Sequence, residues 1–245
     1  MKPVVIVQHE AGVEPGNFGQ HLRDRGRPFV IRRLFDGDAV PESAEPYAGL
    51  CSLGGNMSVN DDLPWIEAEL ALLRDADARG VSVIGHCLGG QLLARALGAD
   101  VQRSPHVELG WGRLQFDDVR RAHEWLGVDA DRVEYFQWHS DAFGVPAGGH
   151  RILQGRWCPN QAYVVERPGY AHIGMQFHIE MTPEMVRHWA ADLAAACEVD
   201  AERLRTGGPA VQSPEEMVED AEGRAARMRR VATHLYDRWL RSARW

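Results

Sequence analysis

Val81-Ser82-Val83-Ile84-Gly85-His86-Cys87-Leu88-Gly89-Gly90-Gln91-Leu92-Leu93-Ala94 decides the fold: a β-branched run stops at a glycine, presents a cysteine and continues with helical spacing. A strand that runs straight into a helix leaves its bend residue in a tight backbone geometry, which the flanking Gly85 and Gly89 make room for. The first turn of the helix then aims unpaired N–H groups and the positive end of its dipole at the bend. That is the setting of a cysteine nucleophile, although a small buried thiol at a strand end is the ordinary alternative.

A second stretch, Ile173-Gly174-Met175-Gln176-Phe177-His178-Ile179-Glu180, favours the nucleophile. It reads as a strand, Ala171 to Phe177, followed by a histidine and, two positions on, a glutamate; residues two apart on a strand share a face. A thiol nucleophile needs a base, and the base needs a carboxylate to fix its tautomer, so Cys87, His178 and Glu180 fill complementary roles.

Outward from these two stretches the chain alternates strand and helix, the pattern of an α/β sheet. Pro3–Val7, Pro28–Arg33 and Tyr47–Leu53 read as strands, with a helix over Asn17–Arg25. Pro64–Arg79 is a helix with Asp61 or Asp62 as cap, proline in its first turn, a Trp65, Glu69, Leu72-Leu73, Ala76 stripe and Gly80 as stop. Further strands are expected at Val101-Gln102, Arg113–Phe116, Val133–Trp138, Arg151–Leu153 and Gln161–Val165, with helices at Leu88–Leu97, Asp117–Leu126 and from Thr182 to about Cys197. Thr206–Pro214 reads as a linker. Beyond it Met217, Ala221, Ala225, Met228, Ala232, Leu235 and Trp239 stripe one face of a helix from about Pro214 to Arg241, expected to pack on the α/β body away from the chemistry.

The sequence resembles the class I glutamine amidotransferases, especially stand-alone members similar to the glutaminase half of GMP synthase. The resemblance runs to about residue 190 and rests on both stretches above together with Leu53-Gly54-Gly55-Asn56-Met57-Ser58-Val59, Glu108-Leu109-Gly110-Trp111, Gln137-Trp138-His139-Ser140-Asp141 and Cys158-Pro159-Asn160-Gln161-Ala162, in the family's order. It implies a three-layer α/β sandwich, flavodoxin-like, with a mixed and mostly parallel sheet over residues 1–197, and the linker and stripe beyond it give a helical extension over 198–245. Gly54-Gly55 alone reads as a turn; the resemblance implies that Gly55 and Leu88 supply oxyanion N–H groups. It also implies that Gln91, His139, Ser140 and Asp141 meet the substrate. His86 and Ile179 depart from the family, which usually has an apolar residue and a proline there. His86 either competes for the Cys87 proton or points into a neighbouring layer.

The implied activity is hydrolysis of a γ-glutamyl amide, with glutamine feeding a separate ammonia-accepting synthase or with a γ-glutamyl conjugate cleaved by a stand-alone peptidase. A regulatory protein on a retired scaffold is the reading from another class. No cofactor is implied. Cys51, Cys87, Cys158 and Cys197 show no CxxC spacing and the eleven histidines no HExxH, so no metal is expected. The net charge of −8 is uneven: Arg224–Trp245 has seven arginines against Asp237, a net +6, leaving −14 for the remainder. An acidic body argues against nucleic acid. With no signal-like or spanning apolar run, the expectation is a cytoplasmic protein off the membrane, with a homo-oligomer open.

Overall fold

A computed structural model describes residues 1–193 and 208–245. The order of elements is β1 (Val4–Gln8), α1 (Gly16–Asp24), β2 (Phe29–Arg33), β3 (Gly49–Ser52), α2 (Pro64–Arg79), β4 (Ser82–His86), α3 (Leu88–Ala96), β5 (Val101–Arg113), β6 (Gln115–Phe116), α4 (Val119–Leu126), β7 (Glu134–Phe143), β8 (His150–Gln154), β9 (Ala162–Arg167) and β10 (Tyr170–Met175). Helix α5 covers 183–193 within the described residues, and α6 (Pro214–Val218) and α7 (Ala221–Leu240) follow. The expected helix end at Cys197, the 197/198 boundary and the start of the linker lie outside the described residues.

The main sheet has the order β2-β1-β3-β4-β10-β9-β8-β6. From β2 through β10 neighbouring strands run parallel, and from β10 outward they alternate in direction. The apolar runs Val4–Val7 and Val83-Ile84 are buried on both faces, as a covered parallel sheet requires. One core joins the sheet to α2 and α3, and the other joins it to α1, α4, α5 and α7, giving three layers. A separate antiparallel ribbon pairs β5 with β7.

The local forecasts meet several tertiary corrections. Leu63, with no side-chain cap, precedes α2 instead of Asp61 or Asp62. The ribbon strands are far longer than expected, because β5 and β7 hydrogen-bond to each other from Val101–Phe143 to Arg113–Glu134. The described part of the linker docks on that ribbon, with Leu109 N–H donating to Ala210 O and Gln212 N–H to Leu109 O, both at 3.0 Å. The last helix breaks in two at Asp220, whose φ of 49° is left-handed.

Helix α7 does pack on the body. Phe18 meets the rings of Tyr236 and Trp239, and Arg25 grips Asp237. It is not remote from the candidate chemistry, however: the Tyr236 hydroxyl lies 3.5 Å from His86 Nε2, itself 3.9 Å from Glu180 Oε2.

Candidate active site

The bend between β4 and α3 places Cys87 at φ 48°, a region that non-glycine residues rarely occupy. Close backbone approach explains the surrounding glycines. A Cβ on Gly85 would stand 2.5 Å from Gly89 O, one on Gly89 would overlap Ser52 O, and one on Gly90 would stand 2.6 Å from Met175 O. The start of α3 is thereby pressed onto β3 and β10. Cys87 N–H donates to Met175 O at 2.8 Å, which ties the bend to the strand leading to His178.

His178 and Glu180 come together by a route that strand periodicity did not give. Strand β10 ends at Met175, and both residues lie in the turn after it. His178 N–H donates to Phe136 O, Asn17 N–H to Glu180 O and the Asn17 side chain to Met181 O, each at 2.8 Å. Gly16, at φ 44°, lets the N-terminus of α1 meet the Glu180 carbonyl where a Cβ would overlap it. The turn is thus clamped by β7 and α1.

Within it His178 Nδ1–H donates to Glu180 Oε1 at 2.7 Å, and both side chains are buried. Burial disfavours the imidazolium, but the Glu180 carboxylate and then Cys87 outweigh it and push the His178 pKa up to about 10. Burial alone would raise Glu180; His178 and then His86 hold it below the usual carboxylate range. His178 Nε2 makes no hydrogen bond of normal geometry, and the Cys87 thiol leans on Trp138 O at 3.5 Å. Resting catalytic contacts are often loose in this way.

Gly54 and Gly55 face this group. A Cβ on Gly54 would stand 2.7 Å from His178 Cε1, and one on Gly55 would stand 3.0 Å from Leu88 Cδ2. Gly55, Trp138 and His178 share a cavity of about 250 Å³ with Glu10, Asn56 and Trp189. A larger groove of about 790 Å³ lies between α1, β2 and α7, away from the thiol.

The remaining sequence candidates are placed unevenly. Gln91 is buried, its Nε2 donating to Asp141 O at 3.1 Å and Gln176 Oε1 at 3.3 Å. His139, Ser140 and Asp141 lie within β7, not after a strand ending at Trp138. His139 turns inward: Nδ1–H donates to Asp141 O at 3.1 Å, and Nε2 is 3.1 Å from Glu108 Oε2. Ser140 accepts from Arg103, and Asp141 accepts from Ser58 Oγ at 2.6 Å. His86 points into the α1–α7 layer, and burial lowers its pKa against the pull of Glu180.

Glu108, His139 and Cys158 bring donor atoms within 4.8 Å of one another, a metal-like cluster among the described residues. Gln161 Nε2 donates to Glu108 Oε2 at 2.8 Å. Sequence reasoning missed Gln176, whose amide approaches Cys87 Sγ at 3.7 Å, and His9, beside the Gly54 carbonyl. A histidine directly after the first apolar strand was the available signal for His9, but nothing local links it to Gly54.

The family described as glutamine amidotransferase class-I matches residues 17–190. A glutamine amidotransferase-like protein of Salmonella typhimurium is 29% identical over 202 residues, covering 79% of this chain and 83% of that protein. A glutamine-hydrolysing GMP synthase of Azoarcus is 29% identical over 174 residues, 66% of this chain but 30% of the synthase. Among solved structures, a glutamine amidotransferase from Methylobacillus flagellatus superposes with a TM-score of 0.89 at 44% identity, over 100% of this chain and 96% of that one.

Proposed function

The chain belongs to the class I glutamine amidotransferase family, and on that premise we propose that it hydrolyses a γ-glutamyl amide through a thioester on Cys87. The observation that carries the reading is the strained bend at Cys87 together with a buried His178 that Cys87 helps to raise and that is bonded to Glu180 at 2.7 Å.

His178 holds the proton that Cys87 gives up, its raised pKa favouring the imidazolium, and sulfur bonds to the γ-carbonyl carbon as the C=O π bond opens. Glu180 holds the imidazole by Nδ1–H, leaving Nε2 to move the proton, and stabilises the imidazolium. Charge gathers on the carbonyl oxygen, and the N–H groups of Gly55 and Leu88 are the proposed donors to it. On collapse the C–N bond breaks and His178 returns the proton to the leaving amine. Water, deprotonated by His178, then attacks the thioester, and the C–S bond breaks to release glutamate.

His139, Ser140 and Asp141 are the proposed substrate contacts, Asp141 being held by Ser58 and Gln91. Gln91 reaches the γ-glutamyl group only if its amide leaves Asp141 O. The proposed substrate is glutamine, with ammonia passed to a synthase, a reading supported by the likeness to a glutamine-hydrolysing GMP synthase. Cleavage of a γ-glutamyl conjugate is the second reading.

The test is glutamate release from glutamine, glutathione and other γ-glutamyl compounds by the purified chain. Release from one class above the others names the substrate. No release from any compound, or equal release by Cys87→Ala, overturns the proposal.

A further inference from the structure

We propose that His9 is a positioning residue that fixes the Gly54–Gly55 peptide with its N–H toward the reacting carbonyl oxygen. This rests on the oxyanion role proposed above for Gly55. In a trans peptide the C=O and the following N–H belong to one plane and point in opposite directions, so whatever grips Gly54 O also aims Gly55 N–H. Two successive glycines put few steric limits on how that plane turns, and a flipped plane would present a carbonyl to the developing negative charge. A restraint is therefore needed from outside the loop.

His9 supplies it. The ring follows β1 directly and is 2% exposed, with Nδ1–H donating to Gly54 O at 3.1 Å. Its other nitrogen, Nε2, meets Glu69 Oε2 at 2.8 Å, and Ser52 Oγ donates to Glu69 Oε1 at 2.6 Å. Glu69 reaches from α2 and is fully buried, so it ties the residue just past β1 to the end of β3, on either side of the glycine loop.

A backbone carbonyl and a carboxylate both accept, so the ring serves both only by donating from both nitrogens. Burial opposes that charge, but Glu69, with Glu10 further off, outweighs it and raises the His9 pKa. Trp65 packs against the ring at 4.8 Å and limits its rotation. On its other side the peptide abuts the candidate base, since a Cβ on Gly54 would stand 2.7 Å from His178 Cε1. The plane is boxed between a hydrogen-bonding histidine and a second imidazole.

The test compares two double variants that leave no buried lone charge. His9→Leu with Glu69→Leu removes the grip; His9→Asn with Glu69→Gln keeps an amide donor near the Nδ1 position. The apolar pair should lose about 100-fold in kcat for glutamate release, the scale of one oxyanion donor, with KM within about threefold. Alkylation of Cys87 by iodoacetamide, which builds no oxyanion, should keep its rate. The Asn/Gln pair should recover most of the loss.

An apolar pair with wild-type kcat, or an Asn/Gln pair that falls as far, overturns the proposal. If the apolar pair does not fold, His9→Gln with Glu69→Gln, whose longer amide misses Gly54, replaces it under the same criteria. If the wild-type chain cleaves no γ-glutamyl compound, the amidase reading fails separately. NMR then decides the restraint: a second set of Gly55 amide resonances only in the variants without the grip supports it, and one unchanged set in all of them refutes it.

Discussion

Gly49→Ala should destabilise the wild-type chain and be tolerated once Trp239 is phenylalanine. A Cβ at Gly49 in β3 would stand 2.6 Å from Cη2 and 2.8 Å from Cζ2 of Trp239, the far edge of the indole carried by α7. Carbon atoms rest near 3.5 Å or more, so ring or strand must move by about 0.8 Å. Trp239 is fully buried against Phe18 and has no exit toward solvent. Overpacking of this kind costs about 1–3 kcal/mol.

With an unfolding entropy of about 2.1 cal/mol/K per residue, the whole chain carries about 0.5 kcal/mol/K, so the melting temperature should fall by about 2–6 °C. Trp239→Phe removes both clashing atoms. It loses packing but breaks no hydrogen bond, because the Trp239 indole N–H has no partner among the described residues. In that background alanine should even gain about 0.5–1 kcal/mol over glycine within a strand. Calorimetry on the four proteins should give a coupling of about 1.5–4 kcal/mol. Equal melting shifts for Gly49→Ala in both backgrounds would refute the argument that α7 seals this face through the indole edge.

Cys87→Ala should abolish glutamate release, and iodoacetamide should label Cys87 at least about tenfold faster at pH 7 than Cys51 or Cys158. Burial pushes both of those thiols up, Cys158 to about 12; equal labelling by mass spectrometry would remove the case for a reactive thiol. In Glu180→Gln the His178 pKa should fall from about 10, because burial is then opposed by Cys87 without the carboxylate; imidazole NMR titration reads it. The same change should cost less kcat than His178→Ala, since the base moves the proton and the carboxylate only holds it.

The raised His178 contributes stability that is complete below pH 6.5 and is lost as pH rises through 10, whereas the depressed Glu180 contributes above pH 4.5 and loses it as pH falls through its lower value. Their joint contribution is therefore greatest between about pH 4.5 and 6.5, and denaturation should show a decline toward pH 10 that Glu180→Gln flattens. Truncation after Gly208 uncovers the partners of Met217, Leu235, Tyr236 and Trp239, all buried. It should lower the melting temperature by more than 10 °C and weaken catalysis through His86. An equally stable truncated chain that changed from dimer to monomer would make the helix an interface instead.

Local chemistry was enough for the parallel half of the sheet and for the nucleophile bend. β-branched runs such as Val4–Val7 and Val83-Ile84 have few alternatives to a buried strand, and a glycine-bracketed cysteine before a helical stripe has few alternatives to the sharp turn it makes. His178 and Glu180 were legible as a pair because they are two residues apart. Their geometry was not, since it comes from a turn clamped by Phe136 and Asn17, far away in the chain.

The same limit hid the full length of β5 and β7, whose hydrogen bonds exist only between distant segments, and it placed His139 inside a strand expected to end at Trp138. The position of Tyr236 at His86, the Trp239 edge against Gly49 and the link from Glu69 through His9 to Gly54 span 150, 190 and 60 residues or fewer. Periodicity over one helix or strand reports which face is buried. Which atoms meet there is decided by packing between layers, and only the tertiary structure contains it.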